Sequence, residues 1–91
     1  MNKSYWVYIL LCKNGAYYTG YTTDLERRFK EHLTGTAKCK YTRSFKPIKI
    51  AQSWQINHLE TAKRLESYIK KMSRREKERL ILSPELLFIE E

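Results

Sequence analysis

Two aromatic and β-branched runs near the start of the chain are separated by Lys13-Asn14-Gly15. Tyr5 to Leu11 reads YWVYILL and Ala16 to Thr22 reads AYYTGYT, so the two runs and the turn between them predict a β-hairpin. Loop length sets its register. A two-residue Asn14-Gly15 loop would pair Tyr8 with Tyr21 and put Tyr8 and Tyr18 on opposite faces. A three-residue loop with Gly15 in the left-handed region instead pairs Tyr8 with Gly20 and Leu10 with Tyr18, on a shared face. The second register is predicted. Gly20 belongs to no turn or helix end, and a glycine inside a strand marks a bulge or a close approach by another group. In the predicted register its missing side chain leaves space beside Tyr8.

After the hairpin, Thr23 and Glu26 have capping-box spacing, and Leu25, Phe29 and Leu33 recur at helical intervals up to Gly35, which predicts a helix from about Asp24 to Leu33. Between His32 and Leu59 there is no acidic residue, while Lys38, Lys40, Arg43, Lys46 and Lys49 are spread through a loop and into the next strand. A polyanion could lie along this segment. Pro47 opens PIKIAQSWQI, where alternation would place Ile48, Ile50, Trp54 and Ile56 on one face. Asn57 and Glu60 are expected to cap a helix whose apolar stripe is Leu59, Ala62, Leu65, Ile69 and Met72. Ser73 and Glu76 start another helix toward Leu82, and Ser83-Pro84 opens a last short turn. The fold class is therefore α/β in the broad sense (α+β): one small domain in ββαβαα order, a three-stranded sheet flanked by helices. Residues 1–82 form the domain and 83–91 a short C-terminal extension.

Ninety-one residues support one modest core. With 18 Lys+Arg against 10 Asp+Glu the formal net charge is +8, which in so small a domain favours a polyanionic partner, nucleic acid first and an acidic protein second. Cys12 and Cys39 lack metal or redox spacing and read as free thiols. No apolar run approaches the roughly 20 residues of a membrane span, and no extended apolar export segment opens the chain. A cytoplasmic protein without membrane attachment is expected.

Most acidic side chains have a structural job. Glu26, Glu60 and Glu76 suit capping, Asp24 and Glu85 suit first turns, Glu31 and Glu78 fall on outer faces, and Glu90 and Glu91 are terminal. Glu66 is left over, on or beside an apolar stripe where a bare carboxylate is costly to desolvate; an i,i+4 ion pair with Lys70 is its plain structural alternative. Arg28 and His32 lie four apart on one helix face. Arg28 is either a phosphate fork or a snorkelling surface charge, and His32 either a site residue or a hydrogen-bonded edge residue.

WVY at Trp6 to Tyr8, YTG at Tyr18 to Gly20, an arginine eight residues after that glycine and the later LESYIKK around Glu66 together resemble the GIY-YIG nuclease domain family. The similarity runs from about Tyr5 to Leu82, and TTDLERR, KYTR and the basic KKMSRREKERLI are similar to segments of its small stand-alone bacterial YhbQ-like members. Trp6 stands where the first motif has glycine, and Thr19 at the middle of the second. The resemblance implies a metal-dependent phosphodiesterase in which Tyr8 and Tyr18 match the motif tyrosines, Arg28 the phosphate-contacting arginine, His32 a further polar position and Glu66 the sole metal ligand. A single carboxylate suits one Mg²⁺ or Mn²⁺ completed by waters and a substrate phosphate. Gly20, Lys38, Lys40, Arg43 and Lys70 are the candidate substrate-binding residues.

Two functional readings follow. One is an endonuclease acting on DNA in preference to RNA, branched or distorted duplex included, in the setting of DNA repair. The other is a nucleic-acid binding module with little cleavage of its own that is active only with a partner, a protein or a second copy of the chain. An adaptor for an acidic protein rests on charge alone.

Overall fold

The computed structural model describes residues 4–37 and 39–91. Alternation along β1 (Tyr5–Cys12) sends Val7 and Ile9 to one side and Tyr8 and Leu10 to the other, and all four are buried. A strand hidden on both faces belongs at the centre of a sheet. β2 (Tyr17–Thr22) and β3 (Pro47–Ile56) flank it, both antiparallel, in the order β2-β1-β3.

The hairpin takes the three-residue loop. Cys12 and Ala16 close it, Gly15 has φ 84°, and Tyr8 pairs with Gly20 and Leu10 with Tyr18. The β1–β2 pairing shows no bulge at Gly20, so the bulge alternative for that glycine is set aside. The Arg74 guanidinium lies over the Tyr17 ring, 4.7 Å from its centroid, and donates to the Gly15 carbonyl, tying the loop to a residue 59 positions later.

In β3 the expected single apolar face is broken. The pairing with β1 shifts between Ile9 and Leu10, so that Ile9 faces Gln52 while Leu10 faces Ile50. Ala51 is the extra residue, and an inserted residue reverses which side the following positions take. Trp54 and Ile56 join Val7 and Ile9 in the main core, whereas a second shift, between Leu11 and Cys12, leaves Ile48 without a partner on β1 and exposed.

Helix α1 (Leu25–Thr34) is capped by Asp24, whose side chain accepts from the Arg27 N–H, rather than by Thr23. Thr22 explains the difference: its hydroxyl accepts from the Asp24 N–H and holds that residue in extended geometry one position later. Glu26 is thereby freed to pair with Lys30. The segment expected to be a basic loop contains a short helix, α2 (Lys40–Ser44). Tyr41 and the C-cap residue Phe45 pack at 5.2 Å between ring centroids, and buried Thr42 gives the helix an inward anchor that helical periodicity over five residues cannot reveal.

Helix α3 (Leu59–Lys70) and helix α4 (Arg74–Leu82) cover the Val7 and Ile9 side with Ala62, Ile69 and Leu80, and the 3-10 turn Pro84–Leu86 follows. The N-cap of α3 is His58, with no side-chain cap bond, and not Asn57. The Glu91 carboxylate accepts instead from the N–H groups of Asn57 and His58, so the last residue of the chain supplies the negative charge that a helix start favours. Ser73 and Glu76 form the expected capping box of α4. Leu87 enters the core, and the Trp54 indole N–H donates to the Pro84 carbonyl. No helix of the described residues is long and apolar enough to cross a membrane.

Candidate active site

The shared face of Tyr8, Tyr18 and Gly20 is met by α1. Among the ten residues of that helix, the buried one is His32, at 1% exposure, while Leu33 of the expected apolar stripe is 41% exposed. The helix therefore docks through a polar contact. The Tyr8 hydroxyl lies 3.1 Å from His32 Nε2, and His32 Nδ1 lies 2.7 Å from the Thr42 hydroxyl of α2. The Tyr18 ring packs edge-on against the imidazole, centroids 5.3 Å apart, and stacks on Tyr41 at 6.2 Å.

Gly20 is required by Tyr8. A Cβ at position 20 would sit 2.5 Å from the Tyr8 hydroxyl oxygen and 2.7 Å from Cζ, inside the contact distance of any pair of carbons or oxygens. The two strands thus hold the Tyr8 ring flat across the backbone of Gly20, with its hydroxyl toward His32.

Arg28, one turn before His32, has Nε 3.3 Å from Glu31 Oε1 without hydrogen-bond alignment, and that nitrogen is buried with no hydrogen-bond partner among the described residues. Glu31 is therefore engaged with Arg28 rather than idle on an outer face. A buried, under-satisfied guanidinium N–H is a donor kept available at a cost. Glu66 of α3 is half-buried, and one of its oxygens lies 3.5 Å from Lys70 Nζ, so the ion pair expected on structural grounds is present as well. α3 packs on the opposite face of the sheet from α1. The Glu66 charge is felt by both tyrosines, raising the hydroxyls of Tyr8 and Tyr18.

The charges act on one another accordingly. Burial pushes the Tyr8 hydroxyl up to about 12; the Arg28 cation opposes that rise and the Glu66 carboxylate adds to it. Burial, then the Cys39 thiol beside it, pushes Tyr18 up further. Burial and the Arg28 charge hold His32 below its ordinary 6.5. The imidazole is neutral at pH 7, able to accept a proton at one nitrogen. Because the unfolded chain protonates His32 first as pH falls, folding stability is lost from about pH 6.5 downward, and the loss ends once the folded imidazole also protonates. Denaturant midpoints between pH 7.5 and 5.5 should show this slope, and the His32→Gln variant should flatten it.

Tyr8, Tyr18, Arg28, His32 and Gly20 are thus brought together, while Glu66 contacts Lys70 and acts on the two tyrosines through its charge. Among the candidate substrate residues, Lys40 and Arg43 are exposed on α2. Lys70 lines a groove of about 280 Å³ over the β2 edge with Tyr17, Tyr18, Thr19, Tyr41 and Lys77. Lys38 lies outside the described residues. Three neighbours of the site, Thr42, Tyr41 and Cys39, carry no sequence signal that marks them as such. KYTR resembles a segment of the family's small members, but no local pattern tells that its threonine turns inward to a histidine ten residues earlier.

The family pattern described as the GIY-YIG catalytic domain matches residues 4–79. The chain belongs to the GIY-YIG family. Its relatives include UPF0213 protein BH0048 of Halalkalibacterium halodurans, 46% identical over 86% of this chain and 82% of that one. A UPF0213 protein of Syntrophus aciditrophicus is 43% identical over 89% and 92%. The solution structure of BH0048 aligns with a TM-score of 0.55. That of EF2693 from E. faecalis aligns with 0.63 at 32% identity, covering 100% of this chain and 98% of that one. A GIY-YIG domain places this chain in a superfamily of nucleases, whose members act on nucleic acids. Trp6 and Thr19 are then variations within the family's motifs, set in the same strands as the tyrosines that carry them.

Proposed function

We propose that this GIY-YIG domain is a divalent-metal-dependent endonuclease that hydrolyses phosphodiester bonds in DNA. The observation that carries the reading is the Tyr8 hydroxyl held 3.1 Å from a buried, neutral His32 beside Arg28. Tyr8 has the one tyrosine hydroxyl among the described residues with an imidazole acceptor. A hydroxyl whose burial raises it to about 12 does not ionise unaided at pH 7, but it can take a proton from water while passing its own to Nε2. The water oxygen then attacks phosphorus, the bond to the leaving deoxyribose oxygen breaks, that oxygen takes a proton from solvent, and His32 returns its proton to solvent. Arg28 presents the unpaired Nε–H to the phosphoryl oxygens as their charge grows. Tyr18 walls the site on the groove side.

Glu66 is the residue that would hold Mg²⁺ or Mn²⁺. Among the described residues no three His, Cys, Asp or Glu side chains converge on one point, and a lone half-buried carboxylate fits a hard cation that keeps several waters and takes a phosphate oxygen as a further ligand. Such an ion, when bound, neutralises phosphoryl charge as a Lewis acid. The net charge of +8 supports a polyanionic substrate.

The test is cleavage of labelled linear, flap and four-way DNA, with RNA counterparts, under Mg²⁺, Mn²⁺ or chelator. Chelator-sensitive cutting is expected, with Arg28→Ala slower by about 10²–10³-fold, the scale for losing one donor to a developing oxyanion. Tight binding without cutting under either metal would replace this reading with that of a binding module.

A further inference from the structure

We propose that Thr42 is a positioning residue that fixes the tautomer of His32, so that Nε2 faces Tyr8 as an acceptor. A neutral imidazole carries one N–H and one lone pair. With partners on both ring nitrogens, two arrangements are self-consistent. In the first, Nδ1–H donates to Thr42 and the Tyr8 hydroxyl donates to Nε2. In the second, Thr42 donates to Nδ1 and Nε2–H donates to the Tyr8 oxygen.

The position of Thr42 in α2 selects between them. Its hydroxyl has a single proton, and the Cys39 carbonyl, three residues back at the helix start, lies 3.4 Å away to receive it. The threonine oxygen then offers a lone pair to His32 at 2.7 Å, which accepts only if Nδ1 carries the hydrogen. Both side chains are 1% exposed, so neither nitrogen has bulk solvent as an alternative partner. Only the first arrangement leaves Nε2 free to take the Tyr8 proton. The short helix α2 therefore has a chemical reason to pack against α1, and its orientation sets the direction of the hydrogen bond at the far nitrogen.

The consequence for catalysis rests on the nuclease reading; the tautomer itself does not, and it is read without turnover. Long-range ¹H–¹⁵N spectra of the ¹⁵N-labelled protein at pH 7.5, with the His58→Gln variant to assign the second imidazole, should show a protonated Nδ1 and an unprotonated Nε2 at His32. Thr42→Val keeps the side-chain shape and removes the acceptor, and should move the signal to the Nε2–H form. Thr42→Ser should restore the wild-type pattern. In DNA cleavage, kcat should fall about tenfold to a hundredfold in Thr42→Val, the scale for losing a group that orients a functional histidine. KM should hold near wild type and Thr42→Ser should recover kcat. A wild-type His32 already in the Nε2–H form overturns the proposal, as does a Thr42→Val protein that keeps Nδ1–H. If Thr42→Val does not fold, the wild-type and Thr42→Ser spectra still decide the tautomer.

Discussion

Tyr8→Phe is expected to slow DNA cleavage by about 10²–10⁴-fold, the range for removing a positioned proton-transfer group. The phenyl ring fills the same slot over Gly20, so binding of DNA should persist while turnover is lost. Stability should drop by about 1–3 kcal/mol, because His32 Nε2 would be left buried without its donor. Tyr18→Phe makes the informative comparison. Its ring supports the imidazole edge-on, but its hydroxyl lies beside Cys39 and not beside a histidine nitrogen. Its loss should cost less rate than that of Tyr8. Equal or larger damage in Tyr18→Phe, measured as single-turnover cleavage on the same substrate, would move the proton-accepting role to Tyr18.

Gly20→Ala is expected to damage both fold and site, although it adds a single methyl group. The new carbon would fall 2.5 Å from the Tyr8 oxygen, and Tyr8, at 2% exposure, has no open side toward which to move. Overpacking of this kind costs about 1–3 kcal/mol, against a gain of about 0.4–1 kcal/mol from the less flexible unfolded chain. For a domain of this size each net kcal/mol lowers Tm by about 4–8 °C. Any relaxation that lets the methyl in must push the Tyr8 hydroxyl off His32, so cleavage should fall even in the molecules that stay folded. Thermal melts and cleavage rates on the purified variant check both parts. Wild-type Tm and rate together would mean that the Tyr8 ring does not need the glycine.

Both variants probe a pairing that is legible in the chain's local pattern. Lys13-Asn14-Gly15 and the period of two along each strand are enough to put Tyr8 opposite Gly20, since hairpin register depends on contacts within a few residues of the turn. The Ser73 capping box is legible for the same reason. Where two local solutions are nearly equal, the outcome shifts: Asp24 displaces Thr23 as a cap because the Thr22 hydroxyl is there to hold it. The break in β3 at Ala51 is not visible in the sequence, since a bulge is set by how one strand fits its neighbour.

Local pattern along the chain is enough for the hairpin, for the sharing of one strand face by Tyr8 and Tyr18, and for a short set of unexplained polar residues, Arg28, His32 and Glu66. What these residues meet depends on packing between elements. The burial of His32 against Tyr8, its bond to Thr42 in a helix that periodicity does not announce, and the action of the Glu66 charge on Tyr8 all join groups at least ten positions apart. The physical reason is range. Turn geometry and capping are settled by neighbours along the chain, whereas the partner of a buried polar group is settled by which surfaces close over it when the layers pack.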